Sequence, residues 1–147
     1  MKNHQIRNRV AVIIVEEDKI LLVQHEKHGQ TYWLLPGGGV EFGETLEEAA
    51  KREMMEEANL TVEIGDLLFL SESIPPDQHR HVINYYFPAT ITGGHLQVGA
   101  DDVLRDVQWH WIEDLPHLVV YPNTVNEILA WHRTQKAERL SLGNRWE

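Results

Sequence analysis

Two apolar runs near the start of the chain, Val10-Ala-Val-Ile-Ile-Val15 and Ile20-Leu-Leu-Val23, flank the polar turn Glu16-Glu17-Asp18-Lys19. Both are rich in β-branched residues. The first is six residues long without a polar break, the mark of a strand covered on both faces, and together they predict a hairpin. Residues 32–35 read as a short strand stopped by Pro36-Gly37-Gly38-Gly39. Segments 61–64, 67–73, 82–89 and 107–112 are further strand candidates. Asn123 or Thr124 can cap a last helix running to about Ala137, with Val125, Ile128, Leu129 and His132 on one side. Residues 140–147 are expected to be loose. No repeat or linker interrupts the pattern, so residues 1–147 are expected to form a single domain, an α/β or α+β sandwich.

One helix carries a second pattern. Thr45-Leu-Glu-Glu48 has the form of a capping box, which predicts a helix starting at Thr45 and running over residues 46–58. At about 100° per residue, Ala50, Met54 and Ala58 share the side that packs on a sheet. Glu53, Glu56 and Glu57, at i, i+3 and i+4, share the adjoining arc. Like charges so placed repel by roughly 0.2–0.5 kcal/mol per pair on an exposed helix. A divalent cation would turn that cost into a gain, and ligands that are all oxygen favour Mg²⁺ or Mn²⁺ over zinc. Pro36-Gly37-Gly38-Gly39, just upstream, lets backbone approach a ligand closely and supplies bare carbonyls.

Composition sharpens this picture. The net charge is −10, from 13 basic and 23 acidic residues, which disfavours a nucleic-acid polymer as partner. Seven Glu against Lys51 and Arg52 place −5 of that charge in residues 41–57. The absence of Cys excludes disulfides, iron–sulfur clusters and thiolate nucleophiles in this sequence. The longest apolar run is far too short to span a membrane. MKNHQIRNR has no apolar leader core, so the cytoplasm is the expected compartment. The His pairs 25/28 and 79/81 do not repeat in a zinc pattern. His79 and Arg80 are candidates to meet a substrate phosphate. Trp33, Tyr85, Tyr86, Phe87 and Trp109 are mostly core or sheet surface by pattern; one of them is expected to stack on a nucleobase, and Trp33 is taken as a candidate substrate-binding residue.

Gly38, five residues, Glu44, seven residues, then Arg52-Glu53-Met54-Met55-Glu56-Glu57-Ala58-Asn59-Leu60 resembles the Nudix box. That pattern runs G, five spacers, E, seven spacers, R-E-apolar-x-E-E-x-G-apolar, and only Asn59, in place of the usual Gly, departs from it. Trp33-Leu-Leu-Pro-Gly-Gly38 and Trp109-His-Trp-Ile-Glu-Asp-Leu115 resemble the family as well. The resemblance implies an α/β/α sandwich with a mixed β-sheet that hydrolyses a nucleoside diphosphate linked to another group. It implies Mg²⁺, with Mn²⁺ as a substitute, held by Glu56 and Glu57 with the carbonyl of Gly37 or Gly38. Glu53 would be a ligand or the base, and Arg52 would pair with Glu44 to hold the carboxylates. Asp101 or Asp102 would add a carboxylate beyond the box.

The box is shared by many substrates. Pro75 and Pro76 lie 15 and 16 residues beyond Leu60, near where the ADP-ribose-hydrolysing branch has a Pro. The Tyr of diadenosine polyphosphate hydrolases and the extra motif of coenzyme A hydrolases are missing. The expected substrate is therefore ADP-ribose or a nucleotide sugar. The alternatives are ordinary or oxidised nucleoside triphosphates, or a sensor that binds nucleotide without cleaving it. Homodimerisation is left open.

Overall fold

The structure, a computed structural model, describes residues 4–96 and 104–146. Among the described residues, ten strands, two α-helices and one short 3₁₀ helix are arranged in and around two sheets. β1 (Ile6–Ile13) is the second strand from one edge of the larger one. It runs parallel to β8 (His81–Gly94) on one edge and antiparallel to β5 (Gly37–Gly39) on the other. β7 (Phe69–Ser73) pairs antiparallel with the first half of β8, and β6 (Leu60–Ile64) with its second half. β10 (Ser141–Asn144) lies parallel to β7, which completes a six-stranded mixed sheet. The smaller, antiparallel sheet has β3 (Lys19–Lys27) paired with β2 (Val15–Glu16), β4 (Gln30–Leu34) and β9 (Leu104–Trp111).

The expected hairpin is therefore cut short. Only Val15 and Glu16 fold back on Ile20 and Lys19, through a turn with Glu17 and Asp18 at positive φ. Ile14 is the crossing point, its carbonyl accepting from Leu21 N–H at 3.1 Å, and the strand before it belongs to the other sheet. A strand with apolar residues on both faces needs layers above and below it, and β1 finds them with β5 and β8 as its edge partners.

Two apolar clusters make the layers. One gathers Val10, Val12, Leu21, Val23 and Phe87 against Ala49, Ala50, Met54 and Ala58 of α1 (Leu46–Ala58). The other gathers Ile13, Ile20, Leu22, Phe69 and Tyr86 against the 3₁₀ helix (Ile112–His117) and α2 (Val125–Thr134). The result is an α/β sandwich with α1 on one side and α2 on the other. α2 ends sooner than its apolar pattern suggests, because Gln135 turns left-handed at its C-terminus. Its first N–H, that of Val125, donates to Asn123 Oδ1 at 3.3 Å, and the Thr124 side chain makes no capping bond.

Of residues 140–147, expected to be loose, the described ones, 140–146, are instead tied down. β10 covers the outer edge of β7, Asn144 exchanges two 3.0 Å hydrogen bonds with the backbone of Ile74, and Arg145 forks onto Glu127 at 3.1 and 3.2 Å. A free strand edge is what fixes this segment, and a partner so distant in sequence leaves no local signature.

The ends of α1 follow from its own residues. Thr45 and Glu48 form the reciprocal capping box, at 3.0 and 3.3 Å. Asn59 ends it in the left-handed conformation (φ 58°, ψ 39°), its N–H reaching the carbonyls of Met54 and Met55. Its side chain also donates to the carbonyl of His95 at 3.0 Å, a bond that Gly could not make. Asn59→Gly should cost less than about 1 kcal/mol, because Gly favours this conformation but loses the link to His95. Asn59→Ala should cost about 1–2 kcal/mol more, for the left-handed strain. Denaturant melts of the two variants check the order.

Candidate active site

The site is built where α1 lies against β5. Gly37 sits so close to β1 that a Cβ there would run into the carbonyl of Val10, and at φ 153° its backbone favours glycine. Pro36-Gly37-Gly38-Gly39 therefore does not simply stop a strand: residues 37–39 are a strand, made of glycine so that it can approach β1 and α1 together. A Cβ on Gly38 would strike the carboxylate of Glu53. On the same side Gly37 N–H donates to Glu57 Oε1 at 3.0 Å.

Arg52 organises the carboxylates. Its Nε and Nη2 fork onto Glu44 at 3.1 and 2.7 Å, and Nη2 also donates to the Gly39 carbonyl at 2.9 Å. Nη1 reaches Glu53 Oε1 at 2.9 Å and Glu56 Oε2 at 3.2 Å. One guanidinium thus ties the loop before α1, the glycine strand and two helix carboxylates into one unit, which a Lys could not do. Glu53 is 14 % exposed and Glu56 59 %, so Glu56 faces the solvent side.

The electrostatics follow from burial. The hydrogen bond to Arg52 holds Glu44 below the usual carboxylate range. Burial raises Glu53, against the pull of Arg52. Burial pushes Glu57 up to about 8, assisted by the charge of Glu53 and opposed by Gly37 N–H and by Arg9. Among the described residues, no three carboxylate or imidazole groups already converge as a metal shell requires. The donors nevertheless fit a hard dication. They are all oxygen, their mutual repulsion and burial favour a positive charge, and Gly38 leaves room where a side chain would block Glu53.

The carboxylates form one end of a cavity of about 1170 Å³. Arg7 and Arg9 of β1 line it, as do Lys27 of β3, Tyr32 of β4, Asn84 of β8, and Tyr121 beyond β9. His79 and Arg80 line it as well, with Trp146 between them, edge-on to His79 and under the Arg80 guanidinium at 5.1 Å. Trp33 does not: it is 9 % exposed, packed edge-on to His110 in the core, while its neighbours Tyr32 and Leu34 face the cavity. The alternation of a strand puts Trp33 on the opposite face, which corrects its expected role. Asp101 and Asp102 lie outside the described residues. Sequence reasoning missed Arg7, Arg9, Ser73 and Asn84. The alternation of Gln5, Arg7 and Arg9 ahead of the apolar run was the available signal for β1.

The NUDIX domain family model matches residues 5–132. The chain belongs to the Nudix family. It is 33 % identical over 121 residues to the ADP-ribose pyrophosphatase of Methanocaldococcus jannaschii, covering 81 % of this chain and 70 % of that one. It is 35 % identical over 114 residues to the NAD-capped RNA hydrolase NudC of Pectobacterium carotovorum, covering 78 % of this chain but only 42 % of that longer relative. Among solved structures, the MutT NUDIX hydrolase from Burkholderia pseudomallei superposes with a TM-score of 0.71 at 28 % identity, over 80 % of this chain and 92 % of that one. These findings and the fold make the chain a pyrophosphohydrolase of the Nudix type. Among the described residues, no helix is long and apolar enough to cross a membrane.

A carboxyl whose folded value lies above its unfolded value of about 4.3 binds more protons when folded, so its contribution to stability falls as pH rises through that window. With Glu57 at about 8, the metal-free protein should lose melting temperature between pH 5 and 8, and Glu57→Gln should remove part of that decline. A cation displaces the same proton, so the Mg²⁺-induced rise in melting temperature should be larger at pH 8 than at pH 6 in the wild type. Thermal scans across pH with and without Mg²⁺ check both slopes.

Proposed function

We propose that the protein catalyses Mg²⁺-dependent hydrolysis of the pyrophosphate bond in a nucleoside diphosphate linked to another group, with ADP-ribose or a nucleotide sugar as the favoured substrate. The observation that carries this reading is the set of Glu53, Glu56 and Glu57, held by Arg52 and Gly37 at one end of a cavity whose lining also includes Arg7, Arg9, Lys27 and Arg80 and the rings of Tyr32 and Tyr121. Glu53, Glu56 and Glu57, with the carbonyl of Gly37 or Gly38, would hold Mg²⁺ or Mn²⁺. When bound, such an ion neutralises charge on the bridging oxygens and lowers the pKa of its water.

The chain's own residues do the rest. Arg52 fixes Glu53 through Oε1, leaving Oε2 to orient the attacking water and take its proton. Glu44 keeps Arg52 in place and does not touch substrate. Glu57, anchored by Gly37 N–H, fixes the distance between helix and glycine strand. Tyr32 and Tyr121, 5.4 Å apart and edge-to-face, offer an aromatic surface to a nucleobase. The cavity is large enough for both arms of a two-part substrate. The name of the archaeal relative supports ADP-ribose. A nucleoside triphosphate pyrophosphatase is the second reading, favoured by the likeness to the MutT structure.

A panel of ADP-ribose, nucleotide sugars, dinucleoside polyphosphates, ordinary and oxidised triphosphates and NAD-capped RNA, each with Mg²⁺, tests the substrate. Release of nucleoside monophosphate should be fastest from ADP-ribose or a nucleotide sugar. Glu53→Gln and Glu57→Gln should each lower kcat on the best substrate by about 10²–10⁴-fold. Wild-type turnover in both variants would overturn the roles given to them.

A further inference from the structure

The chain carries 13 Lys and Arg in all, yet Arg7, Arg9, Lys27 and Arg80 line this single cavity. Of the other described arginines and lysines, Arg52 and Arg145 are bound by carboxylates, and Lys51 pairs with Glu47. Beyond their backbone pairing in β1, the Arg7 and Arg9 side chains make no hydrogen bond or ion pair with another described residue. Arg9 is the more buried of the two, and burial works against its charge more than the nearby carboxylates Glu57 and Glu53 support it. A guanidinium nonetheless remains protonated, so the molecule bears the cost of a largely desolvated cation with no carboxylate of the described residues in direct contact with it.

The sheet sets where these two groups stand. Arg9 lies in register between Asn84 on β8 and Gly39 on β5. Asn84 is 2 % exposed and donates to Ser73 Oγ at 3.2 Å, which gives the cavity floor a fixed polar surface beside Arg9. Gly39 offers no side chain, and the Arg7 guanidinium occupies that room, its Nη2 3.1 Å from where a Cβ would stand. Arg7 and Arg9 are two residues apart on one strand and so face the same way, with Cα atoms about 6.6 Å apart. That spacing suits one guanidinium per phosphoryl group of a diphosphate, each able to bind two oxygens.

We propose that Arg9, assisted by Arg7, is the phosphate-binding wall of the site, gripping the substrate's diphosphate from the sheet side while the α1 carboxylates face it from the helix side. This rests on the pyrophosphohydrolase reading and adds to it the residues that hold the anion without a metal. Arg9 is thereby a specificity-determining residue for two adjacent phosphoryl groups, distinct from the carboxylate machinery.

Calorimetric titration of inorganic pyrophosphate and of orthophosphate into the protein in EDTA reads this grip without turnover. Wild type should bind pyrophosphate more tightly than orthophosphate. Arg9→Gln should weaken pyrophosphate at least tenfold and Arg7→Gln severalfold, while Arg9→Lys should recover part of the loss. In steady state with Mg²⁺, Arg9→Gln should raise KM for the best substrate more than it lowers kcat. If Arg9 serves only as a structural counter-charge for Glu57, Arg9→Gln will shift melting temperature and Mg²⁺ affinity but leave metal-free pyrophosphate binding unchanged, which would overturn the proposal. Should Arg9→Gln not fold, Arg9→Lys and Arg7→Gln carry the same comparison, and unchanged pyrophosphate binding in both would overturn it. Loss of pyrophosphate binding in a protein that hydrolyses nothing in the panel would sink the catalytic reading and leave the anion wall standing. Active enzyme with unaltered binding in the variants would do the reverse.

Discussion

The contact on which the site depends is the approach of α1 to a strand with no side chains. Gly37 must pass close under Val10, Gly38 must leave space for the Glu53 carboxylate, and only then can Gly37 N–H reach Glu57. Any Cβ at either position pushes the helix away from the sheet and takes the carboxylates with it. Burial of Met54 and the alanines on the neighbouring face of α1 supplies the attraction that holds this distance, at about 1.5–3 kcal/mol for the Met54 side chain alone. Packing and chemistry are thus set by the same helix, one face each.

Holding carboxylates so close is unfavourable in the absence of a cation, and the structure manages it by sharing. Arg52 takes up the charge of Glu44, Glu53 and part of Glu56, so no carboxylate on the loop or first turns is left isolated. Glu57, which Arg52 does not reach, is instead kept neutral by its burial near physiological pH. These are two different solutions to one problem. The first is permanent, since a guanidinium does not titrate; the second yields to a dication, which exchanges for the proton. The site is therefore rigid on the Arg52 side and responsive on the Glu57 side.

Local chemistry was legible in the sequence wherever it is local in structure. The capping box, the i, i+3, i+4 carboxylates and the left-handed Asn59 all involve residues within one helix, and their spacing fixes their relative placement. What was not legible depends on partners far along the chain. β1 and β3 look like a hairpin because their apolar runs adjoin, but Ile14 passes the chain from one sheet to the other and β1 pairs with β5 and β8 instead. Residues 141–144 have no strand pattern of their own and are ordered by the free edge of β7. Trp33 was one of several aromatic candidates, but the side of the strand it occupies decides its environment, and Tyr32 takes the place beside the cavity.

The charge distribution shows the same division. The surplus of acid in residues 41–57 was visible as a run, whereas the opposing cations come from β1, β3 and the loop before β8 and are adjacent only after folding. A protein of net charge −10 repels polyanions at a distance. Inside the cavity the sign is reversed along one wall, so the attraction for phosphate is short-ranged and confined to a molecule that fits. Exclusion at the surface and capture within are consistent with a small anionic substrate, and both follow from where β1 places alternate side chains: apolar Val10 and Val12 toward α1, Arg7 and Arg9 toward the cavity.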